Sequence, residues 1–156
     1  MQLEYFQLID RIVDLNLGEK TITVEAQVPS QNTIFEGHFP GHPIMPGVLL
    51  IEAMAQTSGW LLLALTKFER MAFLAAVKEA KMRGFVTPGE LLTVEANVLH
   101  EGSGFAMTEA RIKVGGKLRS NATITFSQIP FPNADLRGHM DAVAKRIGFP
   151  EQALTP

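Results

Sequence analysis

One apolar segment, from Val48 to Thr66, constrains the fold more than any other part of this sequence. Glu52 is its only charged residue, and Pro46 and Gly47 stand just before it. Proline is tolerated in the first turn of a helix, where its missing N–H would have no helical acceptor. We therefore predict a long helix that opens at Pro46 and Gly47 and continues to about Arg70. Because this helix is apolar almost all round, it should be enclosed on most sides.

The same segment approaches the length of a membrane span, so a membrane helix has to be weighed against a core helix. A carboxylate at the bilayer centre costs about 2.5–3.5 kcal/mol on insertion scales, and the segment also contains Gln56, Ser58 and Gly59. We therefore prefer a buried helix and predict no membrane span. The first ten residues lack the basic segment and apolar run of a signal peptide, which predicts a cytoplasmic location.

The composition limits the function classes that need to be considered. The chain has 156 residues, of which 46% are hydrophobic and 19% charged, and its net charge is −2. A chain of this size fits one domain with its own core, so 1–156 is predicted to be a single domain. No basic stripe is available to neutralise phosphates, which argues against nucleic acid as a partner. The absence of cysteine excludes disulfides, thiolate catalysis and Cys-ligated zinc.

Alternating polar and apolar residues predict strands on both sides of the long helix. Two strands precede it and four follow, with short turns between neighbours, so the sheet should be mainly antiparallel. This order implies an α+β fold in which the sheet curves around the helix. An amphipathic helix at about 134–147 should close the chain, within a C-terminal helical extension of about 133–156. The predicted strands cover 8–15, 21–28, 71–82, 91–100, 105–114 and 117–128.

The segment 37–48, with the sequence GHFPGHPIMPGV, is dense in proline and glycine, which excludes regular structure before Pro46. It presents two imidazoles, His38 and His42, immediately before a helix that carries one carboxylate, Glu52. A helix built otherwise from Leu, Ile, Ala and Met would bury at lower cost with an apolar residue at this position. The arrangement therefore indicates a functional site.

Residues 37–49 together with 52–56 closely resemble the signature of the FabZ-type (3R)-hydroxyacyl-acyl-carrier-protein dehydratases. Weaker likeness extends to 8–12 and to the Pro-Gly turn at 85–90. That family has the hot-dog fold, an antiparallel sheet wrapped around one long central helix. The resemblance implies the same fold here, and dehydration of (3R)-hydroxyacyl-acyl-carrier-protein to the trans-2-enoyl product in fatty acid biosynthesis.

The resemblance also implies roles for individual residues. His38 would be the catalytic histidine and Glu52 the catalytic carboxylate, while Gly47 at the helix N-terminus would offer its N–H to the thioester oxygen. In this family the histidine and the carboxylate face each other across a dimer interface, which implies a homodimer with shared active sites, often assembled into a hexamer. Acyl carrier protein is the implied partner, its phosphopantetheine carries the substrate, and no cofactor is implied. Glutamate at position 52 favours a plain dehydratase over a dehydratase-isomerase.

These residue types suit the reaction. Removing the proton next to the thioester carbonyl needs a base near neutral pH, and the ordinary pKa of histidine is about 6.5. Hydroxide is a poor leaving group, so a carboxyl group that hydrogen-bonds or protonates it assists its departure. A helix N-terminus supplies free N–H groups for the negative charge that builds on the thioester oxygen. Direct protonation by Glu52 and protonation through water both stay open.

Two further residues are predicted to support the site. Gln56 lies one helical turn beyond Glu52 on the same face, so we expect it to hold that carboxylate in place. His42 forms an i, i+4 pair with His38, but the prolines exclude helical geometry and no further ligands accompany the pair. A bracing role for His42 is therefore preferred to metal binding, and no metal site is predicted. The His42–Pro43 bond is a candidate for the cis form.

Outside this motif the sequence is less specific. His100 and His139 are expected at the surface. Docking of an acidic carrier protein would need a local positive patch, for which Lys78, Lys81 and Arg83 are the nearest cluster in sequence.

Other functions stay open at this point. A hot-dog acyl thioesterase would release free acid from the same substrates, and a non-catalytic acyl-binding domain would bind them without turnover. The substrate could also belong to housekeeping elongation or to a very-long-chain pathway that feeds lipid A. The tail beyond Pro130, which is longer than usual for the family, bears a faint likeness to the second group.

Overall fold

The computed structural model describes residues 1–153 as a six-stranded antiparallel sheet and one long helix that packs against it. Two short 3-10 turns, Leu3–Tyr5 and Glu151–Ala153, lie near the ends. In chain order the helices and strands are β1 (Arg11–Asn16), β2 (Thr21–Gln27), α1 (Thr33–Gly37), α2 (Gly47–Leu65), β3 (Arg70–Met82), β4 (Leu91–Gly102), β5 (Phe105–Val114), β6 (Lys117–Pro130) and α3 (Ala134–Arg146).

The strand order in the sheet is β1-β2-β4-β5-β6-β3, and every neighbouring pair is antiparallel. Strands β4, β5 and β6 follow each other through tight turns, whereas β3 lies at the far edge beside β6. Burial alternates along the inner strands, so that Ile22, Val24 and Ala26 of β2 face the core between partly exposed neighbours. The predicted hot-dog architecture is confirmed.

Helix α2 is the core helix of this fold. Most of its side chains from Leu50 to Ala64 are buried against the sheet, as its nearly uniform apolar composition predicts. A buried hydrogen bond from Thr108 Oγ1 to Ser58 Oγ, 2.8 Å long, satisfies two polar groups at this contact. Among the described helices only α2 has the length and hydropathy of a membrane span, and 61% of that apolar window is buried inside the fold.

The prediction that the long helix continues to about Arg70 was wrong, because α2 ends at Leu65. The Thr66 hydroxyl donates to the Leu62 carbonyl at 3.1 Å, and the next two residues adopt left-handed backbone conformations. This reversal buries Phe68 completely and aims the chain into β3.

The prediction of no regular structure before Pro46 was also wrong, because the short helix α1 lies at Thr33–Gly37. The side chain of Asn32 caps it by accepting a hydrogen bond from the Ile34 N–H at 3.0 Å. Phe35 anchors α1 in the core. The proline-dense part of the loop begins only after this helix ends.

Helix α3 (Ala134–Arg146) occurs where the amphipathic pattern predicted it, with Asn133 as its N-cap. The chain after it is tied to the core through Phe149, whose ring lies 6.0 Å from that of Trp60 and 5.1 Å from that of Phe68. The Ile12 N–H also donates to the Ile147 carbonyl at 2.8 Å. Positions 154–156 of the predicted extension lie outside the described residues.

Candidate active site

His38 lies directly after α1 and is held by three hydrogen bonds. Its N–H donates to the Ile34 carbonyl, and its own carbonyl accepts from the Ile44 N–H, both at 3.0 Å. The ring nitrogen Nδ1 lies 3.0 Å from the Ile44 carbonyl oxygen. Because a carbonyl oxygen can only accept, Nδ1 carries the hydrogen of the neutral ring and Nε2 keeps its lone pair. The loop therefore presents an imidazole that can take a proton at Nε2.

The backbone of His42 closes a turn with Phe39, and the bracing role expected of the His42 side chain stays a prediction. The His42 N–H donates to the Phe39 carbonyl at 2.9 Å, and the Phe39 N–H donates to the His42 carbonyl at 3.4 Å. The imidazole of His42 is exposed. The prediction of a cis His42–Pro43 bond was wrong, because a following proline lowers the cost of the cis form without requiring it. Within residues 1–153 the cis bond joins His38 to Phe39.

Glu52 lies on the second turn of α2, and the predicted neighbour Gln56 contacts it. Gln56 Nε2 donates to Glu52 Oε1 at 3.0 Å and to the Phe6 carbonyl at 2.8 Å. Gln56 Oε1 accepts from the N–H of Leu8, also at 3.0 Å. Both ends of the amide are thus fixed by the N-terminal segment, and the amide holds one oxygen of the carboxylate. Glu52 Oε2 forms no hydrogen bond within the described chain and can receive another group.

Gly47 is the first residue of α2, with Pro46 at the N-cap position. The first N–H groups of a helix have no intrahelical acceptor, and the helix dipole favours negative charge near them. This end of α2 therefore offers the kind of donor that the sequence predicts for a thioester oxygen.

Glu52 lines a cavity of about 320 Å³ bounded by α2, the N-terminal segment, β3 and α3. His38 is not among the residues that line it, and no hydrogen bond joins His38 to Glu52 in the part of the chain that is described. Within one chain the two predicted catalytic side chains therefore neither line a common cavity nor contact each other by a hydrogen bond.

Comparison with known proteins shows the family of this chain. The FabA-like domain family matches residues 1–122. This chain belongs to that family. A 3-hydroxyacyl-[acyl-carrier-protein] dehydratase FabZ from Lactiplantibacillus plantarum is 40% identical over 119 residues, which cover 76% of this chain and 80% of the relative. The resemblance to the FabZ-type dehydratases is therefore confirmed.

Solved structures give the same fold. A conserved protein from Pseudomonas aeruginosa superposes with a TM-score of 0.62 at 25% identity, covering 81% of this chain and 91% of that one. A hypothetical thioesterase from Streptococcus pneumoniae, solved with coenzyme A, also gives 0.62, at 16% identity, covering 79% and 88% of the two chains. The second similarity is evidence for the fold alone.

Several residues around the Glu52 cavity were missed by sequence reasoning. His139 was expected merely at the surface; it is exposed, but it also lines this cavity together with Met140 and Val143 of α3. The FabA-like match ends at residue 122, so the family signature carries no information about α3. The amphipathic pattern predicted that α3 packs on the fold, but not which cavity it borders.

No group of three or more His, Cys, Asp or Glu side chains that could hold a metal ion is found within residues 1–153. The expected absence of a metal site and of a cofactor stays a prediction.

Proposed function

We propose that this chain dehydrates (3R)-hydroxyacyl-acyl-carrier-protein to the trans-2-enoyl product in fatty acid biosynthesis. The observation that carries the proposal is the His38 ring, which is fixed by the Ile44 carbonyl so that Nε2 is free, within a signature that belongs to the FabA-like family. The membership narrows the chemistry to acyl thioesters, and the ring geometry supplies the base that this chemistry needs.

In this mechanism His38 Nε2 takes the proton from C2 of the substrate. The electron pair forms the C2–C3 double bond as the C3–O bond breaks, and the leaving hydroxyl takes the proton of the protonated Glu52 carboxyl group, directly or through a water molecule, and departs as water. The free N–H of Gly47 donates to the thioester oxygen while negative charge builds there. Gln56 keeps the carboxylate aimed by occupying Oε1. The phosphopantetheine of the carrier protein brings the substrate, and no cofactor takes part.

The active site is proposed to form between two copies of the chain, with His38 from one and Glu52 from the other. The absence of His38 from the cavity that Glu52 lines in one chain supports this arrangement. So does β3, an edge strand of 13 residues that exposes Phe73, Leu74 and Val77. An exposed apolar edge strand needs a covering partner, and β3 also contributes Leu74 to the Glu52 cavity. A second copy on β3 would therefore cover the strand beside the site.

Mixing inactive variants tests the shared site directly. His38→Ala and Glu52→Gln should each abolish dehydration of hydroxyacyl thioesters. Co-expressed chains that pair at random should recover about a quarter of the wild-type activity, since half of the dimers are mixed and each mixed dimer has one intact site. No recovery in isolated mixed dimers would contradict the shared site, while full activity in either single variant would contradict the mechanism. Free acid in place of enoyl product would favour a thioesterase.

The carrier protein is proposed to dock beside the end of β3. Lys78 and Lys81 are exposed there, and neither forms an ion pair within residues 1–153. Lys81→Glu should raise KM for substrates on acyl carrier protein and leave KM for free pantetheine thioesters unchanged, because only the acidic protein meets this patch. Lys67→Glu, which lies before the other end of β3, is the matched control. An equal effect on both substrate types would contradict docking at this place.

We propose a single domain with the helical extension at 133–156, a cytoplasmic location and a homodimer that can assemble further into a hexamer. Sedimentation analysis of the purified full chain distinguishes two copies from six.

A further inference from the structure

The apolar residues of α3 and its C-terminal end contact two different parts of the fold, the core and the Glu52 cavity. Ala144 and Ile147 are almost completely buried in the core, and they hold the helix in place. Met140 and Val143 are only partly buried, and both line the cavity that contains Glu52. A helix outside the matched FabA-like domain thus forms part of the wall of the candidate active site.

The cavity follows one face of α2 away from the carboxylate. Glu52, Gly59 and Leu63 line it in succession, and a rise of 1.5 Å per residue puts about 16 Å between Glu52 and Leu63. A Cβ added at Gly59 would meet no atom within 4 Å, so open space continues along the middle of the helix. Trp60 and Phe126 add apolar surface. A mostly apolar passage that starts at a carboxylate fits an alkyl chain whose reacting carbons lie at that carboxylate.

We propose that α3 closes the acyl-chain site, and that Met140 and Val143 limit the length of the hydroxyacyl chain that this protein accepts. The inference rests on the proposed function, because it places C3 of the substrate beside Glu52. It adds a specificity role for the C-terminal extension. The extension is anchored through Phe149 against Trp60, and Trp60 itself lines the cavity, so the wall is coupled to the core.

The test measures kcat/KM for pantetheine thioesters of (3R)-hydroxyacyl groups, from short to very long chains, with the full chain and its variants. Met140→Ala and Val143→Ala should shift the preference towards longer chains, by about fourfold in kcat/KM for each additional buried methylene. Met140→Trp and Val143→Phe fill the cavity and should shift the preference towards shorter chains. Leu136→Ala, on the same helix but outside the cavity lining, is the control and should leave the profile unchanged.

Opposite shifts in chain-length preference for the enlarging and the filling variants would support the inference. A general loss of stability would instead change kcat/KM in the same direction in both kinds of variant. Unchanged chain-length profiles in folded variants, or shifts in one direction only, would overturn it. If the Met140 variants fail to fold, as judged by circular dichroism, the pair at Val143 carries the same comparison. Failure of the wild-type chain to dehydrate even the shortest substrate would instead contradict the proposed function.

Discussion

Gln56 joins the N-terminal segment to Glu52 through a single amide group. Its Nε2 donates both to Glu52 Oε1 and to the Phe6 carbonyl, while its Oε1 accepts from the Leu8 N–H. Leu8 is fully buried. The Gln56 amide is therefore held by a residue that is anchored in the core and not by a free surface loop. The orientation of the carboxylate therefore depends on residues more than 40 positions away in the sequence.

Gln56→Met, which keeps the length of the side chain, should lower kcat by about 10- to 100-fold because the carboxylate is no longer aimed. The free energy of unfolding should fall by about 1–3 kcal/mol, since the buried N–H of Leu8 loses its acceptor. Steady-state kinetics and urea denaturation measure the two effects.

The control is Gln27→Met, which removes an amide that donates to the Gly89 carbonyl at 2.8 Å, away from Glu52. It should reduce stability slightly and leave kcat unchanged. A normal kcat in Gln56→Met would show that the amide serves stability alone.

The two edge strands offer a matched test of the dimer. Val77 of β3 and Val13 of β1 are 37% and 48% exposed, yet only β3 borders the Glu52 cavity. Val77→Glu should give a monomer without dehydratase activity, because a charge would be buried at the proposed interface. Val13→Glu should keep both the dimer and the activity. Light scattering coupled to gel filtration measures the molar mass of each variant. A Val77→Glu variant that is still a dimer would exclude β3 from the interface.

The sequence predicted an antiparallel sheet curved around one long helix because the signals for these elements are local. Strict alternation marks strands such as β2, and the Pro-Gly entry followed by apolar residues marks the start of α2. The end of α2 was mispredicted because Phe68 extends the apolar pattern of the helix, whereas in the structure Lys67 and Phe68 adopt left-handed conformations and Phe68 packs edge-on against Phe149. Helix α1 was missed because its five residues carry no periodic pattern.

The site was predictable where the motif is continuous and not where it depends on tertiary contacts. The Glu52–Gln56 pair follows from helical spacing, and the structure has that contact. The tautomer of His38 follows from a carbonyl six residues away in an irregular loop, whose position no pattern encodes. The contribution of α3 to the Glu52 cavity depends on where this C-terminal helix packs on the fold. Long-range contacts decide that position, and they leave no local pattern in the sequence.

Phe149 is expected to be the main anchor of the C-terminal extension. Its ring packs against Trp60 and meets Phe68 edge-on, and the side chain is 5% exposed. Phe149→Ala should cost about 3–5 kcal/mol of stability and free α3 for proteolysis. Trp60 is the only tryptophan of the chain, so its fluorescence should shift to longer wavelength as water reaches it. An unchanged emission spectrum together with a protected α3 would contradict this anchoring.

Gly59 and Gly138 form a matched pair of glycines within helices. Neither would bring an added Cβ within 4 Å of another atom, but Gly59 lines the Glu52 cavity and Gly138 does not. Replacing either by alanine should stabilise the fold by about 1 kcal/mol, because glycine is a poor helix former, and raise Tm by about 2–4 °C.

Only Gly59→Ala should also narrow the acyl-chain site, because its methyl group enters the cavity. We expect kcat/KM to fall for long hydroxyacyl chains and to stay near the wild-type value for the shortest ones, whereas Gly138→Ala keeps the wild-type profile. Calorimetry and the chain-length series measure the two effects on the same samples. A gain in stability without any change in chain-length preference at Gly59 would mean that the alkyl chain does not pass this helix face.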